Sequence, residues 1–296
     1  MKRVVLLLVL WLTRASAAPA QAPDFYAHWG DGRAELSSYR IVQPRYGEPR
    51  EGYGVLIFVT EDIDRKTFIK VESPAPKEER LYVLKLNNVL KFNTGIYDYS
   101  VMTSVFSQVE GGAHPFELRK LSLSAQEWCG HVFDEVQARN GRLEGHISSY
   151  FESEGRHPYE LDYGRSFESE DHLLIRIREL GGPFLAPGEE REMEILPTLW
   201  SFRLRHRPHA LVQGKVRKGE TEGIALGGES LLAVRWDLEM GERRRTLWVE
   251  SAYPHRILKW EDGDGGRGEL VKTIRVPYWK LHGNADEVYR EELQIP

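Results

Sequence analysis

The chain has little cysteine: one residue, Cys129. A single thiol excludes an internal disulfide, so packing alone has to hold the fold. After residue 20 no apolar run approaches the eighteen or so residues of a membrane-spanning helix. No block of basic residues occurs and the formal net charge is −5, which argues against a nucleic-acid partner. No G-x-S-x-G, H-E-x-x-H, P-loop or dinucleotide-binding fingerprint is present. No motif asks for a cofactor. Aromatic residues, by contrast, are plentiful. The 8 Trp, 13 Tyr and 11 Phe can build a core without covalent help.

The first twenty residues carry the clearest signal. Lys2 and Arg3 precede an uncharged apolar run, Val4 to Leu12. Ala15-Ser16-Ala17 and Ala18-Pro19-Ala20 are two small-x-small cleavage sites. The pattern predicts a signal peptide over residues 1–20, too short to span a bilayer. The expected location is outside the cytosol: periplasmic in a two-membrane bacterium, otherwise secreted. No cysteine stands at the cut, so no lipid anchor on a mature N-terminal cysteine is expected.

Beyond a tether over 21–31, a two-residue period dominates. Strands are expected at 34–42, 54–60, 81–86 and 95–107. Along the last, Tyr97, Tyr99, Val101 and Val105 share one face. The other mixes Ile96, Met102 and Phe106 with Asp98, Ser100 and Ser104, as a cavity wall or a sheet surface would. Asn140-Gly141 is a type I′ hairpin signal. Asp171 to Leu180 places Leu173, Leu174, Ile177 and Leu180 on one helical stripe. Acidic residues lie at its start, basic ones near its end, and Gly181 can cap it. Strands are expected again at 198–205, 210–218, 232–239, 245–251, 257–261 and 269–276. The fold class is therefore all-β: a curved antiparallel meander forming an open or partly closed barrel, with one short helix near 171–180. The all-β domain spans 32–282, with a weak internal boundary at 165–190 and a tail over 283–296.

Three stretches carry a resemblance. Asn93-Thr94-Gly95-Ile96-Tyr97-Asp98-Tyr99-Ser100, Gln126-Glu127-Trp128-Cys129-Gly130-His131-Val132-Phe133 and Ser148-Ser149-Tyr150-Phe151-Glu152 resemble a family of uncharacterised exported bacterial proteins. Some of its members are labelled septum-formation inhibitors. That label belongs to cytoplasmic α/β nucleotide pyrophosphatases, whose pattern is absent here. Leu247-Trp248-Val249-Glu250, Pro254-His255-Arg256-Ile257-Leu258-Lys259-Trp260 and Pro277-Tyr278-Trp279 look like periplasmic all-β domains of unknown function. The second resemblance implies a curved sheet akin to open-barrel lipoprotein carriers. Neither supplies catalytic residues.

Residue by residue, chemistry is sparse. Cys129 and His131 are two apart on an expected strand and would share a face with Glu127 and Phe133, as a nucleophile and its base might be placed. The plainer reading is a small hydrophobe beside a hydrogen-bonded neighbour. His206 and His209 flank Pro208, which removes the helical spacing zinc would need. Asp262-Gly263-Asp264-Gly265-Gly266 reads as a hairpin turn, lacking the later glutamate of a calcium loop. Tyr97, Tyr99, Trp128, His131, His146 and Tyr150 are candidate ligand-binding residues. The expected function is non-enzymatic binding of a lipid, another hydrophobic or amphipathic ligand, or an envelope partner on the concave side of the sheet. The helix near 171–180 would plug the open side. Two alternatives stand beside it: an envelope hydrolase or transferase using Cys129 and His131, and a structural assembly protein working through strand edges.

Overall fold

The computed structural model describes residues 25–296. The expected signal peptide and its two expected cleavage sites lie outside the described residues. Eight strands follow one another first: β1 (Ala34–Arg45), β2 (Glu48–Asp64), β3 (Arg80–Thr94), β4 (Tyr97–Gln108), β5 (Glu117–Glu127), β6 (Gly130–Arg139), β7 (Arg142–Ser149) and β8 (Arg156–Asp162). The second half supplies β9 (Phe167–Ser169), β10 (Glu190–Leu196), β11 (Val212–Leu226), β12 (Glu229–Met240), β13 (Arg243–Glu250), β14 (Ile257–Asp262) and β15 (Arg267–Val276). Together they make one 15-stranded sheet, ordered β8 back to β1, then β15 back to β9. All neighbours are antiparallel except β9 and β10. The two halves join where β1 pairs β15, Leu36 facing Ile274.

This topology forces curvature. A flat array of fifteen strands would hold its edges roughly 67 Å apart at about 4.8 Å per strand. The edges are β8 and β9, separated only by residues 163–166. Those residues reach roughly 20 Å at full extension. The sheet must therefore curl almost onto itself, leaving an unpaired seam between β8 and β9. The architecture is the open, curved meander that the alternation implies.

Three short helices occupy the inside: α1 (Phe25–Trp29), α2 (Glu170–Arg176) and α3 (Leu199–Arg205). The inner faces of the strands alternate as buried positions, for example Leu121, Leu123 and Ala125 on β5 and Val132, Val136 and Ala138 on β6. Leu173, Leu174, Ile175 and Ile177 of the α2 region pack against that face. α2 is thus the expected helix, and its apolar side chains are buried in the main core. It ends earlier than its stripe suggests: Glu179, not Gly181, takes the positive φ after it.

Three expectations need correction. Thr198–Arg205 is not a strand: Leu199 to Arg205 form α3, closed by His206 at φ 51. The described part of the expected tether is structured: Phe25–Trp29 is helical and Trp29 is fully buried. The tail also packs. α4 (Val288–Glu292) leads to buried Leu293, whose carbonyl accepts a 2.6 Å hydrogen bond from the Ser38 hydroxyl.

Candidate functional site

The residues singled out in the sequence divide between two faces of the sheet. Trp128, Cys129, His131 and Tyr150 come together at the β5–β6 turn, around a cleft of about 510 Å³ that also takes in Lys91 and Asp98. The Trp128 indole N–H donates to Asp98 at 2.9 Å while the ring stays exposed. Tyr99 belongs instead to the core, stacked on Phe92 at 4.8 Å. Tyr97 tilts against Tyr99 beside the rim. His146 is exposed on β7, opposite Glu135, and does not reach the cleft. The face of β4 that mixes Met102 with Asp98 and Ser100 is an outer surface rather than an interior wall.

Cys129 is not on a strand. Trp128 and Cys129 form the tight turn itself, with Glu127 opposite Gly130 and Gln126 opposite His131. Glu127 is buried and Phe133 exposed, so the four residues do not share one face. A hydrogen bond from the thiol to Glu127, together with the Glu127 charge, pushes the Cys129 thiol above its ordinary range. That is the reverse of thiolate activation. Cys129 has no hydrogen bond to His131; its backbone N–H donates to Glu127 at 2.6 Å.

Inside the barrel, α2 and α3 meet through acids. Glu170 accepts from the Thr198 backbone N–H at 2.8 Å. Asp171 accepts from the Thr198 hydroxyl at 2.7 Å and the Leu199 N–H at 3.1 Å. These carboxylates satisfy amides that begin α3 and would otherwise lack partners. Glu170 also binds Arg243 and Arg245. Burial alone would raise the Glu170 carboxyl, but the two arginines outweigh it and hold it below the usual glutamate range. Asp171 goes the other way, pushed up to about 6 by burial and by the Glu170 charge.

Beside this junction lies a cavity of about 60 Å³, room for a few waters. Its lining is mixed: Leu56, Leu90, Leu174 and Trp260 are among the apolar residues, and Arg245 is among the charged ones. Asn88, Thr103, Asp171, Thr198, Gln43, Asp262 and Arg267 also line it. Asn88 and Thr103 are direct cross-strand partners. The Asn88 side-chain oxygen is buried without a hydrogen-bond partner.

One constellation left no usable sequence signal. His172 lies 2.9 Å from the Ser107 hydroxyl through Nε2 and 2.8 Å from Glu168 through Nδ1. The outline is that of a serine–histidine–carboxylate triad. However, Nε2 also lies 2.9 Å from the Phe116 carbonyl. A carbonyl only accepts, so Nε2 donates to it and cannot simultaneously take a proton from Ser107. Ser107 is fully buried, closed to any substrate. Burial would raise Glu168, but His172 and Arg176 hold its carboxyl low. The group is a structural clamp: Glu168 of β9 pairs with Arg176 and His172 of α2, and His172 hydrogen-bonds Ser107 of β4.

The remaining candidates resolve into structure. His206 pairs with Glu154 at 2.8 Å and His209 with Asp134 at 2.6 Å, so the two histidines do not converge. No group of metal-ligating residues occurs among the described residues. Asp262 and Asp264 shape a turn in which Asp262 also binds Arg245 at 2.5 and 2.9 Å. No protein family, curated protein or solved structure matches this chain.

Proposed function

We propose that this chain is an exported, non-enzymatic binding protein that takes an amphipathic ligand into the concave interior. The observation behind this reading is the interior cavity, whose lining mixes apolar side chains with polar groups that include the unpartnered Asn88 oxygen. Small-molecule sites combine an apolar lining with a few placed polar groups, and an unpaired buried acceptor invites a donor. Sheet curvature and the buried helices supply the enclosed volume. At its present size the cavity accommodates only the end of a ligand. Deeper seating moves the Trp200 indole, whose N–H donates to Gln43 at 3.3 Å.

The test is native mass spectrometry of protein purified from its own envelope, followed by organic extraction and lipid analysis. A stoichiometric adduct, lost in Leu90→Trp, is the expected result. A bare mass and an empty extract would remove the reading.

A further inference from the structure

The turns β1–β2, β3–β4, β5–β6 and β7–β8 all fall at one end of the sheet, because every strand in that half is antiparallel to the next. Each presents one large apolar or aromatic residue: Tyr46 at 60% exposure, Ile96 at 84%, Trp128 at 69% and Tyr150 at 75%. Successive tips are two strand widths apart, so the row extends over roughly 30 Å. Such a row is not scattered surface apolarity, which needs no explanation. The other half of the same rim is polar, with Gly241-Glu242 and Gly263-Asp264-Gly265 at its turns.

Cations stand next to the row. His206, bonded to Glu154 in the β7–β8 loop, brings the end of α3 to these tips. Arg205 and Arg207 on either side of it are exposed, and neither side chain has a polar partner among the described residues. Of the acids on the tips, Glu48 pairs with Arg50 at 2.6 Å, Asp98 accepts from the Trp128 indole and Glu154 pairs with Arg203 and His206, while Glu152 is exposed without a polar partner among the described residues. Amphipathic Trp and Tyr rings favour the membrane–water boundary, and neighbouring free arginines suit anionic headgroups.

The geometry points to this rim as a membrane-docking edge: four tips seat in the interface of an anionic bilayer while the polar half of the rim stays in water. It does not depend on the ligand reading above. Cys129, the chain's one cysteine, sits on the third of the four tips and is exposed. It can therefore carry an environment-sensitive nitrobenzoxadiazole probe at the proposed contact. Protein from its own envelope, labelled there, is mixed with phosphatidylethanolamine–phosphatidylglycerol vesicles. The expected result is a blue-shifted emission, weaker with phosphatidylcholine alone. Ile96→Ser with Tyr150→Ser should reduce apparent vesicle affinity by about tenfold or more. Ile69→Ser with Leu232→Ser, exposed residues away from these tips, should leave it unchanged. Equal melting temperatures establish that the variants are folded. No shift with vesicles, or a shift indifferent to the tip variant, overturns the proposal. So does a concentration-dependent shift without vesicles, which would assign the tips to a second copy of the chain.

Discussion

His209 lies flat on Tyr159, the rings 4.1 Å apart and 4° from parallel. Both reach Asp134: the Tyr159 hydroxyl at 2.8 Å and His209 Nε2 at 2.6 Å. Tyr159 is on edge strand β8, Asp134 is on β6, and His209 precedes β11 from the other half of the sheet. The cluster therefore clasps the seam that backbone pairing leaves open. His209→Ala removes a stacked ring and half the bonding of a buried carboxylate. It should cost about 2–4 kcal/mol, measured as the shift in urea midpoint. Faster amide exchange in β7 and β8 should accompany it.

Arg178 and Glu35 form a buried bidentate pair at 2.9 and 3.1 Å, with Arg178 also donating to the Pro254 carbonyl at 2.8 Å. The guanidinium lies 4.2 Å over the Phe58 ring. Glu35→Ala strands a buried cation and should cost about 3–5 kcal/mol. Glu35→Leu combined with Arg178→Met should recover most of that loss. Equal losses in the single and double variants would show that the pair is not the source of the stability.

Asp171 gives the fold a distinct pH response. Its carboxyl is raised to about 6 in the folded protein, against about 3.9 in an unfolded chain. A raised folded value means that this group's contribution is fully present below about 4 and is lost as pH rises through about 6. The shift corresponds to about 3 kcal/mol. Asp171→Asn should remove that component, so the stability difference between wild type and variant should change between pH 4 and 6 and then level off. Paired urea titrations across this range measure it; a constant difference would refute the assignment.

Thiol chemistry offers a fourth measurement. Glu127 raises the Cys129 thiol, so iodoacetamide alkylation should rise with pH later than for an unstructured cysteine peptide. Glu127→Gln should move the profile back towards the peptide. A profile shifted to lower pH in the wild type would instead return Cys129 to consideration as a nucleophile.

The strands were legible because one buried face imposes a period of two, and the Asn140-Gly141 hairpin because both residues take positive φ. α2 was legible from the spacing of Leu173, Leu174 and Ile177. α3 was not. Trp200, Phe202 and Leu204 alternate along it, an apolar spacing that imitates a strand, whereas the buried residues are Leu199, Trp200, Ser201 and Arg203. The Trp128-Cys129 turn was hidden because neither residue takes positive φ, so no glycine or asparagine marks it. Glu170 and Asp171 look like ordinary first-turn acids of α2. Their role in starting α3 rests on contacts some 27 residues away in sequence, which no local pattern records. The Ser107–His172–Glu168 clamp is equally non-local.

The β1–β15 pairing dictates when the molecule can be finished. β1 gains one neighbour as soon as β2 is made, but its other edge waits for residues 267–276. Until then the first eight strands form a sheet with two free edges, the more hazardous being the apolar flank of β1. The most sequence-distant pairing in the barrel is thus also the one that joins its halves, making folding slow by its contact order. Synthesis from the N-terminus therefore withholds β15, and with it the joining of the two halves, until residue 276 has been made.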